Sequence, residues 1–192
     1  MKVLAIAGSL RKDSFSSRLA AAAAGLAPEG VEVELYADLG DIPNYNQDLE
    51  PNNIPAGVED LRNRMEDSDA LLIVTPEYNA SVPGALRNAI DWASRPHGAS
   101  ALQGRPAAII SNSPMPFGAV WANEQVRKSF TITGTPTVER ELAIGKVDEK
   151  LSDENTITDE ETRDDVVAIL LELEELYGQV IQELPEEEKA TA

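Results

Sequence analysis

The sequence predicts an α/β protein: a doubly wound five-stranded parallel sheet, strand order 2-1-3-4-5, with helices on both faces. Three observations carry this. Five short apolar runs alternate with stretches of helical periodicity, the pattern of a parallel sheet with crossover helices. The run Ala70–Thr75 ("ALLIVT") is apolar almost throughout, as a strand covered on both faces should be. Right-handed crossovers leave few topologies, and five strands usually adopt that order.

The elements follow in order. Lys2–Ala7 ("KVLAIA") is the first strand. Ser14–Ala27 is a helix with Phe15, Leu19, Ala22 and Leu26 on one face, stopped by Pro28 and Gly30. Val31–Tyr36 ("VEVELY") alternates, as a strand near an edge does. A polar loop, Asp38–Pro55, leads to a short helix, Ala56–Glu66, and then to Ala70–Thr75. Pro83–Ser94 is a helix with Pro83 in its first turn, where a missing N–H costs nothing. Pro106–Ser111 is the fourth strand, Ala119–Ile132 a helix, and Thr135–Glu139, extending toward Ile144, the fifth strand. Lys146–Asp165 reads as an acidic loop. The last helix spans Asp159–Leu184, with Thr158 and Glu161 at capping-box spacing. Residues 1–185 form one domain in this reading, and 186–192 an acidic, disordered tail.

In such a sheet ligands bind beyond the carboxyl ends of the strands where the order reverses, between strands one and three. The loops Gly8–Ser14 and Pro76–Val82 flank that crevice, with Ser111–Gly118 nearby. The first reads "GSLRKDSFSS" through Ser17. It has neither the glycine pattern of a dinucleotide site nor that of a triphosphate loop. A helix start offers free N–H groups and a positive dipole end. Ser9, Ser14, Ser16 and Ser17 add hydroxyls, and Arg11 a planar cation suited to phosphate. The loop therefore suits a terminal phosphate monoester. The alternative is that Ser14 or Asp13 only caps the helix and the other serines are solvated. Phosphate contacts contribute about 1.5–3 kcal/mol each, whereas micromolar to nanomolar binding needs roughly 8–12 kcal/mol net. A large flat group must supply the rest. Tyr78, in "TPEYNASVPG", is a candidate surface for it, though it also reads as an ordinary loop aromatic, with Ser81 as a helix cap.

Composition removes other chemistries. The 192 residues include no cysteine and one histidine, His97, which excludes disulfides, zinc–thiolate sites and cysteine nucleophiles and argues against a histidine metal centre. The net charge is −18, from 34 acidic and 16 basic residues. Such a surface argues against nucleic acid and anionic membranes as partners, and acidic, lysine-poor surfaces also suit a halophilic source. One lysine and five apolar residues precede Gly8, too few for a signal peptide. No apolar run approaches the roughly 20 residues of a membrane span. A cytoplasmic location is expected.

Three segments, "GSLRKDSFSSRL" (Gly8–Leu19), "VTPEYNASVPGALRNAIDW" (Val74–Trp92) and "SNSPMPFGA" (Ser111–Ala119), resemble those of the NAD(P)H-dependent FMN reductases of flavodoxin-like fold, a family that includes quinone, chromate and azo-dye reductases. The resemblance spans about Met1–Gly145. It implies FMN as cofactor and NADPH or NADH as donor, with hydride passed to the flavin and two electrons on to a small-molecule electrophilic acceptor. It implies that Ser9, Arg11, Ser16 and Ser17 hold the phosphate, that Pro76, Glu77, Tyr78 and Asn79 line the isoalloxazine, and that Ser113 and Gly118 meet its other edge. It also implies a homodimer or homotetramer with the Pro83–Ser94 helix at the contact. Two positions depart from the family pattern. Ala80 stands where glycine is frequent after the Asn of "PEYN", which disfavours a positive φ there. Pro116 removes an N–H from the third loop. An FMN-binding electron carrier without a productive NAD(P)H site is the alternative, since acidic surfaces suit carriers too. A flavin-free phosphate-binding domain of the same fold is a more distant one.

Overall fold

The computed structural model describes residues 1–50 and 53–183. Its sheet is parallel throughout, in the order β2-β1-β3-β4-β5. The strands are β1 (Lys2–Ala7), β2 (Glu32–Tyr36), β3 (Ala70–Thr75), β4 (Ala107–Ser113) and β5 (Leu142–Gly145). The helices are α1 (Phe15–Gly25), α2 (Ala56–Glu66), α3 (Gly84–Ala93), α4 (Val120–Thr133), α5 (Val147–Lys150) and α6 (Glu160–Glu183). The order predicted from the sequence is the order observed.

The alternation of strand side chains sorts the core into two layers. Leu4, Ile6, Leu71, Ile73 and Ile109 face α2, α3 and α4, where Trp92 and Phe130 are fully enclosed. Val3, Ala5, Leu72, Val74 and Ile110 face α1 and α6, against Leu19, Val166, Ile169 and Leu170. All six residues of β3 are buried, which is why its sequence lacks alternation. β2, at the edge, exposes Glu32 and Glu34.

Trp92 also fastens the long connection before α2. Its Nε1 donates to Pro43 O at 2.7 Å, and its ring meets Tyr45 edge-on at 4.8 Å between centroids. Asn88 adds three bonds, accepting from Tyr45 N at 2.7 Å and donating to Pro43 O at 2.9 Å and to Ile42 O at 3.3 Å. This connection contains two single turns of 3-10 helix, Leu39–Asp41 and Gln47–Leu49.

Several expectations change. The predicted fifth strand, Thr135–Glu139, is not the fifth strand. Pro136 has no N–H to give, and only one bridge forms there, Thr137 with Ala107. Regular pairing begins at Leu142 and runs beside Ile110–Ser113, which lengthens β4 by two residues past its expected end. The acidic stretch after β5 contains α5. The cap of α6 is Asp159, not Thr158: its Oδ2 accepts from Thr162 N at 2.9 Å and from Thr162 Oγ1 at 2.6 Å. These bonds hold the Asp159 carboxyl below its ordinary range. Leu184, the expected end of the last helix, and the expected tail at 186–192 lie outside the described residues.

Among the described residues one buried side-chain group lacks a partner. The Tyr36 hydroxyl sits beneath the end of β2 with no hydrogen bond. Burial, with Asp60 and Asp38 close by, pushes its pKa from 10.0 up to about 12. Removing an unsatisfied buried hydroxyl should help, so Tyr36→Phe should stabilise the fold by about 1 kcal/mol. The unfolded phenol ionises first as pH rises, so wild-type stability falls progressively between pH 10 and about 12. Tyr36→Phe should lack that part of the decline, and urea unfolding across this range measures both effects.

Candidate active site

The first loop turns from β1 into α1 through Ser14, whose extended backbone lets its Oγ accept from Ser17 N at 3.0 Å. Ser14 Oγ and Ser17 Oγ are 2.8 Å apart. The amides of Phe15 and Ser16 make no intramolecular hydrogen bond among the described residues. No acidic residue occupies the first turn of α1, although Asp13 directly precedes its cap. Arg11 is exposed beside this helix start, with its guanidinium 5.9 Å from the centre of the Phe15 ring. Neither Arg11 nor Lys12 forms an ion pair among the described residues. The Arg11 guanidinium also donates no hydrogen bond among the described residues, whereas Arg105 and Arg127, which lack ion pairs too, donate to backbone carbonyls.

A cavity of about 200 Å³ opens where the loops after β1, β3 and β4 meet. Ser9, Arg11, Ser16, Pro76, Glu77, Tyr78 and Ser113 all border it. Ser9 Oγ and Tyr78 Oη are 2.9 Å apart, which ties the first loop to the second across the crevice. Ser16 is fully buried, and its Oγ and the Asn112 side chain exchange hydrogen bonds of 3.0 and 3.4 Å. Asn112 also donates to Thr75 O at 3.2 Å. Three expected site residues lie off this cavity. Ser17 faces a second, larger groove of about 440 Å³ between the first loop and the end of β2, which also touches Ser9 and Arg11. Asn79 is exposed at the tip of the second loop. Gly118 is buried beneath the third.

The second loop is a tight turn. Tyr78 N donates to Ser81 O at 3.0 Å and Ser81 N to Tyr78 O at 3.2 Å. The two central residues, Asn79 (φ 54) and Ala80 (φ 57), are both left-handed, the geometry of a type I′ turn. Ala80 thus adopts the positive φ that its side chain was expected to disfavour. Glu77 borders the cavity and also reaches to the next helix. Ala119, ahead of α4, gives no side-chain cap, and Glu77 Oε2 accepts from Trp121 N at 3.1 Å and Ala122 N at 3.2 Å instead. A carboxylate from the second loop thereby caps the helix that follows the third.

The third loop lies close against β5. A Cβ on Gly118 (φ +61) would sit 2.5 Å from Ala143 C. A Cβ on Gly145 would sit 2.2 Å from Pro116 O. Ser113 Oγ accepts from Met115 N at 3.0 Å, which closes the start of the loop. Beyond it Met115, Phe117, Val120 and Trp121 are exposed, Phe117 to 72 % and Trp121 to 54 %. Four large apolar residues within seven positions exceed the scattered exposure that needs no explanation. Among the described residues no group of three or more His, Cys, Asp or Glu could hold a metal ion.

Asn112 and Gln125 escaped the sequence reading. The signal for Asn112 was an amide between two serines at the end of a strand that begins apolar. Gln125 sits on α4 and bonds the second loop, and nothing local marks it.

A sequence profile described as NADPH-dependent FMN reductase matches residues 1–149. The chain belongs to this family. Among its relatives, a quinone reductase of Pseudomonas putida KT2440 is 43 % identical over 137 residues, which is 71 % of this chain and 73 % of that one. A quinone reductase of Escherichia coli K12 is 33 % identical over 185 residues, covering 95 % of this chain and 96 % of its own. The solved structure of FerB, a flavoenzyme NAD(P)H:(acceptor) oxidoreductase from Paracoccus denitrificans, superposes with a TM-score of 0.84 at 36 % identity, over 93 % of this chain and 97 % of that one. The doubly wound sheet is thus the family's, and the 200 Å³ cavity lies where its strand order reverses. Among the described residues no helix is long and apolar enough to cross a membrane.

Proposed function

We propose that the protein is an FMN-dependent oxidoreductase that takes hydride from NADPH or NADH and passes two electrons to a quinone or a similar small electrophilic acceptor. The observation that carries this reading is the first loop. Two free helix-start amides, the Ser9 hydroxyl and the unpaired Arg11 surround one small cavity, a donor set that fits a phosphate monoester. At about 200 Å³ the cavity is smaller than the 300–1,000 Å³ of a site that encloses a drug-sized ligand. It suits the phosphate end of FMN, and residues of the second and third loops would hold the ring.

When bound, FMN supplies the redox chemistry, accepting hydride and releasing the electron pair. The chain's own residues do the rest. Ser9 and Arg11 would hold the phosphate with their side chains, Ser16 with its free amide, and Ser17 with its hydroxyl from the neighbouring groove. Pro76, Tyr78 and Asn79 present backbone and the half-exposed Tyr78 ring to one side of the isoalloxazine. Glu77 holds this loop to α4. Ser113 and Gly118 shape the loop at the other edge. No acid–base pair of this chain is assigned a role; besides the hydride, reduction of a quinone takes up one proton, which solvent can supply.

The exposed stretch from Met115 to Trp121 suits a subunit contact next to this site, in a homodimer or homotetramer. Trp92, fully enclosed, takes no part in it and supports α3 from within. The names of the relatives, quinone reductases among them, support the acceptor class.

Titrating the protein with FMN and following flavin fluorescence tests the reading. One FMN bound per chain, with riboflavin bound far more weakly, is expected. Equal affinity for the two, or no binding, would overturn it.

A further inference from the structure

We propose that Gln125 is a positioning residue of the flavin site, holding the Tyr78–Ser81 turn in the left-handed geometry that Ala80 resists. This rests on the reading that the turn borders the flavin ring. A two-residue type I′ turn needs φ > 0 at both central positions, and Asn-Gly is the pair that adopts it most readily. Asn79 tolerates the left-handed region, but alanine does not favour it, because its Cβ crowds the backbone. Ala80 nevertheless has φ 57. A non-glycine residue in that region persists when its surroundings over-determine it.

Gln125 supplies that constraint. Its Nε2 donates to Ala80 O at 3.0 Å. Its Oε1 accepts from Ser81 Oγ at 2.9 Å and from Val82 N at 3.4 Å. One amide side chain thus uses both its donor and its acceptor on three consecutive residues. It grips the turn's far limb, opposite the side where Tyr78 reaches Ser9. The grip comes from the same helix that Glu77 caps, one turn further along. α4 therefore holds the second loop at both ends, at Glu77 and at Ala80–Val82. Between those anchors lie Tyr78 and Asn79, the residues proposed to face the ring. The orientation of Tyr78 is in this way set by a residue that touches no part of the cavity.

A double-mutant cycle of Gln125→Ala and Ala80→Gly tests this. Each variant is read by amide exchange at Tyr78 N and Ser81 N in the apo-protein, and by FMN affinity from fluorescence quenching. With Ala80 present, Gln125→Ala should speed exchange at both amides about tenfold and weaken FMN about tenfold. With glycine at 80 the turn holds itself, so the same substitution should change either quantity less than about threefold. A general structural loss would not be rescued by glycine at a single position. Gln125→Glu keeps the acceptor but replaces the donor to Ala80 O, and should behave like Gln125→Ala. Equal losses in both backgrounds, or no loss with Ala80 present while wild type binds FMN, would overturn the proposal. Failure of wild type to bind FMN, with the exchange pattern as expected, would instead overturn the flavin reading and leave the turn clamp standing.

Discussion

Arg11→Ala should weaken FMN binding by between about 10- and 100-fold, while riboflavin binding stays unchanged. A hydrogen bond to a charged group contributes about 1.5–3 kcal/mol, and each 1.4 kcal/mol is tenfold in affinity. Arg11 is free to provide such bonds, because no carboxylate holds it among the described residues. The effect should be large here for a second reason. A phosphate approaching a chain of net charge −18 meets repulsion from most directions. The pair Arg11–Lys12 supplies the local attraction, so added salt should also weaken wild-type binding more than it weakens the variant. Arg11→Lys keeps the charge but loses the planar fork, and should fall between the two. Unchanged FMN affinity in Arg11→Ala would remove the phosphate from this loop.

Gly118→Ala should destabilise the fold by roughly 2–5 kcal/mol, from two separable causes. The left-handed backbone, φ +61, costs an L-residue about 1–2 kcal/mol. The added Cβ would lie 2.5 Å from Ala143 C and 2.7 Å from Ala143 O, and forced overpacking costs about 1–3 kcal/mol. The obstacle is backbone in a paired strand, so no side chain can swing aside. Against a typical total stability of about 5–15 kcal/mol this is a large fraction. The third loop should lift from β5, so FMN affinity should fall as well. Urea unfolding measures the first effect, and a loss below about 0.5 kcal/mol would contradict the packing described. Gly118 thus has a reason to be glycine in the backbone alone, whatever it contributes at the flavin edge.

The parts of the molecule that were legible in the sequence are those set by short-range pattern. Apolar runs located the central strands, and "ALLIVT" marked the strand enclosed on both faces. The crevice followed from the strand order, and the three loops with unusual sequences do converge there. Long-range geometry was less legible. Thr135–Glu139 looked like a strand by composition, yet Pro136 lacks the N–H that would extend its pairing, and Leu142–Gly145 took the place beside β4. The serines after Arg11 could not be sorted by sequence. Once α1 forms, Ser16 turns inward to Asn112 while Ser17 turns toward the β2 side. Glu77 and Gln125 were opaque for the same reason: their partners lie 43–45 residues away along the chain. Ala80 was the opposite case. The sequence raised its conflict with a positive φ, and only the structure shows the hydrogen bonds that hold it there.

Electron transfer from a pyridine nucleotide to bound FMN is read from an anaerobic absorbance spectrum of the FMN-reconstituted protein, recorded before and after NADPH and then NADH. Rapid loss of the oxidised flavin absorbance with at least one donor, and its return on adding a quinone, is the result predicted here. A tightly bound flavin that neither nucleotide reduces would contradict it and make the protein an electron carrier.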